Sequence, residues 1–159
     1  MFLPWALDSF FLFITSQNNG IIPLVIIIPL IIIKEKKGAL LILGLAVLTV
    51  SITDPLCCRL MKPFFHRLRP CHPSYFVDNV HMFLSEAHFL LGLKRSCSFP
   101  SAHAMNIWAH AILFSHFYPS LQIYLFIFAG LVAISRVYVG VHYPIDIFVG
   151  SILGAIIGY

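Results

Sequence analysis

Long apolar stretches without charged residues alternate with short polar segments along this chain. Residues 9–33, 38–53 and 117–135 contain no Asp, Glu, Lys or Arg. The hydrocarbon core of a bilayer is about 30 Å thick, and a helix needs roughly 20 mostly apolar residues to cross it. The pattern therefore predicts an all-α, polytopic membrane helix bundle.

We expect about five transmembrane helices and one additional helix at the N-terminus. Residues 2–15 are aromatic and contain Asp8, which favours a helix that either lies in the membrane interface or inserts into the membrane. A short polar break, Asn18-Asn19-Gly20, follows this helix. The predicted spans cover residues 21–33, 39–58, 102–117, 121–139 and 144–159.

The polar segment at residues 59–100 contains six of the ten basic residues. Apolar residues recur within it every three or four positions from Val80 to Leu91, which predicts an amphipathic helix on the membrane surface. If the basic turn Lys34–Lys37 faces the cytoplasm, this segment and the region from Arg136 to His142 both lie on the opposite face. The topology therefore predicts one polar surface, facing the periplasm, that carries both regions.

The composition agrees with a membrane protein and excludes several other classes. Of the 159 residues, 60% are hydrophobic and only 10% are charged, which is too few charges to cover a soluble surface of this size. The length accommodates a single domain, residues 1–159. The net charge of +4 is not concentrated in a basic tract, so we expect no nucleic-acid binding. The four cysteines lack zinc-finger spacing, and the N-terminus lacks the basic start of a signal peptide.

A first group of polar residues surrounds the start of the last predicted span. His142 and Asp146 are four residues apart, a spacing that places them on one face of a first helical turn. A carboxylate in that position orients an imidazole and leaves its second nitrogen as a nucleophile. Arg136 ends the preceding span, and its planar guanidinium suits two phosphate oxygens. This grouping predicts a phosphate-handling site.

A second group, Pro100-Ser101-Ala102-His103, has the features of a helix start. Ser98 or Ser101 is expected to cap the helix, and Pro100 suits its first turn. The free N–H groups and the helix dipole at such an end favour an anion. His103, one turn into the helix, is placed to donate a proton to a departing oxygen.

A third group contributes two further cations. Lys62 and Arg69 are seven residues apart, about two helical turns, so both are expected to face one site. Together the three groups supply cations, a helix N-terminus, two histidines and a carboxylate. This combination favours phosphoryl transfer through a phosphohistidine, with Lys and Arg stabilising the charge that a metal would otherwise stabilise.

The combined pattern Lys-x6-Arg-Pro, Pro-Ser-x-His and Ser-Arg-x5-His-x3-Asp resembles the signature of the type 2 phosphatidic acid phosphatase superfamily. The pattern spans residues 62–146 in the family's order. The resemblance implies a bundle that typically has six membrane helices, which agrees with five spans and an inserted N-terminal helix. It also implies hydrolysis of lipid phosphates with no metal or other cofactor.

The resemblance also implies a role for each matching residue. His142 would be the nucleophile, Asp146 would orient it, and His103 would act as general acid and then as general base. The phosphate oxygens would be bound by five positions: Lys62, Arg69, Ser101, Ala102 and Arg136. Ala102 stands where the family usually has Gly. Because alanine keeps the backbone N–H and adds only a methyl group, we expect slight tightening without loss of function.

The remaining polar residues receive structural interpretations. Arg67, Lys94 and Arg95 are more typical of contacts with lipid headgroups than of substrate selection. Five other histidines are interpreted as packed or solvated: His66, His81, His88, His110 and His116. Cys71 follows the Lys-x6-Arg-Pro motif and Cys97 precedes the Pro-Ser-x-His motif. A disulfide between these two cysteines is a hypothesis.

The leading functional prediction is a phosphatase of the bacterial inner membrane that acts on an envelope lipid at the periplasmic surface. The candidate substrates are lipid A 1-phosphate, a polyprenyl diphosphate, phosphatidylglycerophosphate and phosphatidic acid, with a preference for a pyrophosphate or sugar-linked phosphate. One alternative is an oxidoreductase similar to the vanadium haloperoxidases, although those relatives are soluble. Another is a non-catalytic lipid-binding scaffold, which intact His103, His142 and Asp146 disfavour. The oligomeric state is left open.

Overall fold

The computed structural model describes residues 5–15, 28–29, 31–36, 38–70 and 97–159, and all regular structure in these ranges is helical. Five helices organise it: α1 (Trp5–Thr15), α2 (Ala39–Pro55), α3 (Ala102–Phe117), α4 (Gln122–Tyr138) and α5 (Pro144–Gly158). Residues 31–35 are also helical. The predicted all-α class is confirmed.

The helices α3, α4 and α5 begin and end within one residue of the predicted spans. Ala39–Phe65 and Pro119–Tyr138 are the described helical segments long and apolar enough to cross a membrane, and α5 is a shorter apolar helix. The N-terminal helix is present as α1. Most of the predicted 21–33 span and the whole predicted surface helix at 80–91 lie outside the described residues.

Helix α2 is longer than the sequence pattern predicted. It continues past Pro55 through a π-helical turn, Leu56–Met61, and a final turn, Lys62–Phe65. Proline lacks a backbone N–H, and a π-turn re-registers the hydrogen bonds so that the helix continues. The helix ends at His66, whose φ of 45° is left-handed. Ending this helix at residue 58 was therefore wrong, because Lys62 is part of it.

Three glycines bring α5 unusually close to α3. Gly150, Gly154 and Gly158 are four residues apart and lie on one face of α5, and all three are buried. A Cβ atom at any of them would overlap a backbone carbonyl oxygen of α3, from Ser101, Met105 or Ala109. This close backbone contact, typical of small residues at membrane helix interfaces, fixes the start of α5 beside the start of α3.

The opposite end of the bundle has its own apolar cluster. Ile31, Ala39 and Ile42 are buried there, with Phe114 and Tyr118 packed against them. The Lys34 ammonium lies 4.7 Å from the centre of the Tyr118 ring. The start of α2 and the end of α3 therefore share one end of the molecule.

The outer faces of the helices expose large apolar side chains. Leu40 is 83% exposed, Ile123 60% and Ile156 67%, on three different helices. Apolar exposure on this scale is unfavourable in water and suits a lipid environment. The described part of the bundle thus has a surface appropriate to a bilayer.

Candidate active site

The three groups of polar residues meet at the end of the bundle opposite the Tyr118 cluster. The segment that follows α2 is joined to the segment before α3, because the Ser98 N–H donates to the Arg67 carbonyl at 2.7 Å. The Ser98 hydroxyl donates to the Leu68 carbonyl at 3.2 Å. The start of α3 is joined to α5, since the Ser101 N–H donates to the Asp146 carbonyl at 3.0 Å. These contacts place residues 66–70, 98–103 and 136–146 side by side.

A tight turn between α4 and α5 delivers His142 to this surface. Gly140 adopts a φ of 72°, a conformation that suits glycine. The N–H groups of Val141 and His142 then donate to the Arg136 carbonyl at 3.1 and 3.2 Å. The chain therefore reverses immediately after Arg136, which keeps Arg136 and His142 in one site.

Asp146 lies in the first turn of α5, and its side chain is completely buried. Pro144 is the first helical residue, as predicted, because its missing N–H has no helical partner there. The Tyr143 N–H donates to Asp146 Oδ2 at 2.9 Å. This bond satisfies one of the free N–H groups of the helix start and holds the carboxylate in place.

His142 lies between a carboxylate and a guanidinium. Its Nδ1 is 3.5 Å from Asp146 Oδ2, longer than a well-formed hydrogen bond, and its Nε2 is 3.3 Å from Arg69 Nη1. Guanidinium nitrogens only donate, so Nε2 must offer its lone pair to Arg69 and the ring proton must sit on Nδ1, towards Asp146. The side chain is only 2% exposed.

The surroundings of His142 keep its ring neutral. Burial lowers the pKa of His142 to about 4; the Asp146 carboxylate acts in the opposite direction, while Arg69 and Arg136 lower the pKa further. A neutral ring with a lone pair on Nε2 is the form that a nucleophile requires.

Arg69 and Arg136 are both buried beside this ring. Arg69 Nη1 also donates to the Val141 carbonyl at 3.1 Å. Lys62 and Arg69 both lie within electrostatic reach of His103, as expected for residues of one site, although Arg69 lies beyond the end of the helix. Lys62 begins the last turn of the helix, and Arg69 reaches the site from the non-helical segment after it.

Arg136 is held by the N-terminal helix. Its Nη1 donates to the carbonyl oxygen of Thr15 at 2.8 Å and to the Thr15 hydroxyl at 2.6 Å. Phe11 of α1 packs against Tyr138 of α4, with ring centres 4.3 Å apart. Thr15 was missed by the sequence analysis, because a lone threonine at the end of an apolar helix carries no recognisable signal.

Arg67 belongs to the site and not to the lipid headgroup surface, which corrects the sequence interpretation. Its Nη1 lies 2.9 Å from Asp146 Oδ1. Its guanidinium also stacks over the Tyr143 ring, 4.1 Å from the ring centre. The helical spacing pattern gave no indication of this pair, since residues 67 and 146 are brought together only by the fold.

The start of α3 differs in detail from the prediction. Ser101 is the capping residue, with the Ala104 N–H 3.4 Å from its hydroxyl, and Ala102 is the first helical residue. Ser98 does not cap the helix. Pro100 precedes the cap, so placing it in the first turn was wrong; its carbonyl accepts from the Cys57 thiol at 3.4 Å.

His103 completes the cluster from the first turn of α3. It lies within electrostatic reach of four other members of the group: Lys62, Arg69, Arg136 and His142. All eight residues predicted for the site are described, and they converge on one end of the bundle. Among the described residues, no three His, Cys, Asp or Glu side chains are grouped closely enough to hold a metal ion.

The other polar predictions have mixed outcomes. His110 contacts the carbonyl oxygens of Asn106 and Ala46, and His116 that of Ile112, as expected for packed histidines. Cys97 is a free thiol, which does not support a disulfide with Cys71. Cys71, His81, His88, Lys94 and Arg95 lie outside the described residues.

Comparison with known proteins settles the family. The model of the PAP2 superfamily matches residues 39–159. The chain belongs to this superfamily. The matched segment includes every residue of the candidate site except Thr15, because α1 precedes it.

Two relatives carry the same printed name. A "Lipid A 4'-phosphatase" of Porphyromonas gingivalis is 32% identical over 157 residues, covering 96% of this chain and 64% of the relative. A "Lipid A 4'-phosphatase" of Bacteroides thetaiotaomicron is 29% identical over 127 residues, covering 77% and 53%. The chain thus spans between about half and two thirds of the length of these relatives.

Two solved structures share the fold over nearly the whole chain. Aquifex aeolicus LpxE is similar with a TM-score of 0.70 and 27% identity, covering 99% of this chain and 85% of that one. The "first transmembrane PAP2 type phosphatidylglycerolphosphate phosphatase" of Bacillus subtilis has a TM-score of 0.66 and 26% identity, with coverage of 99% and 75%.

Proposed function

We propose that this chain is a lipid phosphatase that cleaves phosphate from a bacterial envelope lipid through a phosphohistidine on His142. The observation that carries the proposal is the His142 ring, whose Nε2 lone pair faces Arg69 while Nδ1 faces Asp146. A neutral, oriented imidazole next to a guanidinium is suited to attack a phosphorus atom whose oxygens that guanidinium binds.

The proposed reaction has two steps. His142 Nε2 attacks phosphorus, the bond from phosphorus to the lipid oxygen breaks, and that oxygen takes a proton from His103, which is protonated once the bound phosphate anion offsets the surrounding positive charges. A water molecule then attacks the phosphohistidine while His103 accepts its proton, which releases inorganic phosphate and free His142. Asp146 stabilises the positive charge that develops on the ring in each attack.

The proposed phosphate cradle consists of Lys62, Arg69, Arg136, the Ser101 hydroxyl and the N–H of Ala102. Three cations from three segments offset the charge on the phosphate oxygens, and the start of α3 offers free N–H groups. Because these groups supply the charge stabilisation, the proposed reaction requires no metal or other cofactor.

The proposed substrate is a sugar-linked phosphate on a glycolipid of the lipid A type. Support comes from the printed names of the two relatives from Porphyromonas gingivalis and Bacteroides thetaiotaomicron. The apolar outer faces of α2, α4 and α5 keep the site at a membrane surface, where a lipid phosphate is presented. We place the chain in the inner membrane with about five spans and the site on the periplasmic side.

The decisive experiment measures phosphate release from purified lipids in detergent micelles by His142→Ala and the unaltered protein. We expect at least a ~1,000-fold loss of kcat/KM, because the nucleophile is removed. His116→Ala is the matched control, since His116 is exposed and lies near Tyr159 at the far end of the bundle. Activity retained by His142→Ala would refute the mechanism.

The same assay tests the substrate and the absence of a metal. A panel of lipid A, a polyprenyl diphosphate, phosphatidylglycerophosphate and phosphatidic acid should show the highest kcat/KM for lipid A. EDTA should leave the rate unchanged, and vanadate should inhibit without producing peroxidase activity. A loss of activity on chelation would contradict the metal-independent mechanism.

A further inference from the structure

Asp146 has a closer charged neighbour than the histidine it is expected to orient. Its Oδ1 lies 2.9 Å from Arg67 Nη1, whereas its Oδ2 lies 3.5 Å from His142 Nδ1. Oδ2 also accepts the Tyr143 N–H at 2.9 Å. The carboxylate therefore uses one oxygen for Arg67 and the other for His142 and the helix start.

The Arg67–Asp146 pair matters for the charge balance of the site. Asp146 is completely buried, and a buried carboxylate is costly unless a positive charge accompanies it. A neutral His142 ring cannot supply that charge. Without Arg67, the carboxylate would favour protonation of its other neighbour, the His142 ring, and the protonated ring would lose its nucleophilic lone pair.

We propose that Arg67 is a positioning residue that neutralises Asp146 and so keeps His142 unprotonated and ready to attack phosphorus. This inference rests on the proposed role of His142 as nucleophile. Arg67 does not touch the reacting atoms in this scheme; it acts through the carboxylate.

The fold holds Arg67 in the position that this role needs. Its guanidinium stacks 4.1 Å from the centre of the ring of Tyr143, the residue that caps the start of α5, and its carbonyl accepts the Ser98 N–H. The side chain is 38% exposed, so solvent weakens the interaction but does not abolish it.

Other charged groups also face His142. Arg69 approaches from the segment after α2, His103 from α3, Arg136 from α4 and Asp146 from α5, while Lys62, in the last helical turn before that segment, lies within electrostatic reach of His103. The cations among them all disfavour a protonated ring, and Asp146 alone favours it. Arg67 differs from the other cations because it is paired directly with Asp146, so its removal releases the one group that attracts a proton.

The test is the pH dependence of kcat/KM in Arg67→Gln and Arg67→Leu. Both variants remove the positive charge, and their side chains differ in shape and polarity. In both, the acid limb of kcat/KM should move upward by about one pH unit, while the rate above the limb changes little. Arg67→Lys should keep the limb near its original position because a positive charge remains. Arg59→Gln, at an exposed arginine of the π-turn in α2, should leave the whole profile unchanged.

A second measurement does not depend on activity. Arg67→Gln should lower the unfolding temperature most near pH 8, where the unpaired carboxylate is charged, and progressively less towards pH 5 as the His142–Asp146 pair takes up a proton. A purely structural role would lower the unfolding temperature equally at each pH. Arg67→Leu is expected to show the same decrease of this effect on the unfolding temperature towards pH 5.

The outcomes separate this inference from the proposed function. An active wild-type protein whose acid limb stays fixed in both neutral variants overturns the role of Arg67 alone. An inactive wild-type protein overturns the phosphatase proposal, while the unfolding measurement still decides whether Arg67 controls protonation of the pair. A pH-independent difference in unfolding temperature overturns the inference in either case.

Discussion

At the residue scale, the central property of the site is a histidine that resists protonation. His142 is buried, and its Nε2 lies 3.3 Å from the Arg69 guanidinium, a group that can only donate. A surface histidine would be half protonated near pH 6.5, which would leave only part of the protein with a neutral ring. Burial beside Arg69 and Arg136 therefore preserves the neutral ring over a wide range of acidity.

This environment predicts an acid limb of kcat/KM near pH 4 and not near 6.5, because burial lowers the pKa of His142 to about 4 from 6.5. The substrate phosphate has its own ionisation near pH ~6, which 31P NMR of the same micelles measures separately. Once the ionisation of the substrate is accounted for, an acid limb of kcat/KM at pH 6.5 would contradict the proposal that His142 stays neutral down to about pH 4.

The same shift has a consequence for stability. Between pH 6.5 and about 4 the unfolded chain binds a proton on this histidine that the folded protein does not bind. The contribution of His142 to stability is therefore complete above pH 6.5 and is lost as the pH falls towards 4.

The pairing of site residues could be predicted from the sequence only where the two residues are close along the chain. His142 and Asp146 are four positions apart, so their pairing follows from local geometry alone. The Arg67–Asp146 pair spans 79 residues and Arg136–Thr15 spans 121, so neither has a local pattern. Arg67 also occupies a polar segment with several other basic residues, where an exposed position was the simpler interpretation.

At the element scale, hydrophobic periodicity located α3, α4 and α5 because their ends coincide with polar turns. The prediction failed at the end of α2, where Lys62 and Arg59 suggested a loop. Arg59 and Lys62 are both helical, because the helix continues for several residues beyond its apolar stretch. The π-turn after Pro55 leaves no simple trace in the sequence.

The contact between α3 and α5 depends on the three glycines of α5. Gly154→Ala should destabilise the protein by about 1–3 kcal/mol, because its Cβ would overlap the Met105 carbonyl oxygen. Gly44→Ala is the control: Gly44 is in the middle of α2 with open space around it, and should gain stability by about 0.5–1 kcal/mol. Thermal unfolding in one detergent measures both, and equal effects would contradict the close packing.

At the scale of the whole molecule, the two ends of the bundle have distinct roles. One end carries the proposed catalytic residues, and the other carries the Tyr118 cluster and the turn between α3 and α4.

The proposed orientation predicts from which side of the membrane a cysteine in the turn between α3 and α4 reacts with a chemical label. Ser120 is exposed there, at the end opposite His142, so Ser120→Cys should face the cytoplasm. A membrane-impermeant maleimide should label this cysteine in inverted membrane vesicles and not in right-side-out spheroplasts. The unaltered protein, with its own four cysteines, gives the background. Labelling only from the periplasmic side would reverse the proposed orientation.

The glycine face of α5 also restricts how the site can change shape. Two of the three segments that form the candidate site, those bearing His103 and Asp146, belong to helices whose backbones touch and cannot slide or rotate past one another without steric overlap. Arg67 and Arg69 reach the same site from a short non-helical segment. Within the described part of the chain, adjustment to a bulkier headgroup is therefore expected from that segment, and diversification of substrate preference among such chains should accumulate there and leave the α3–α5 contact unchanged.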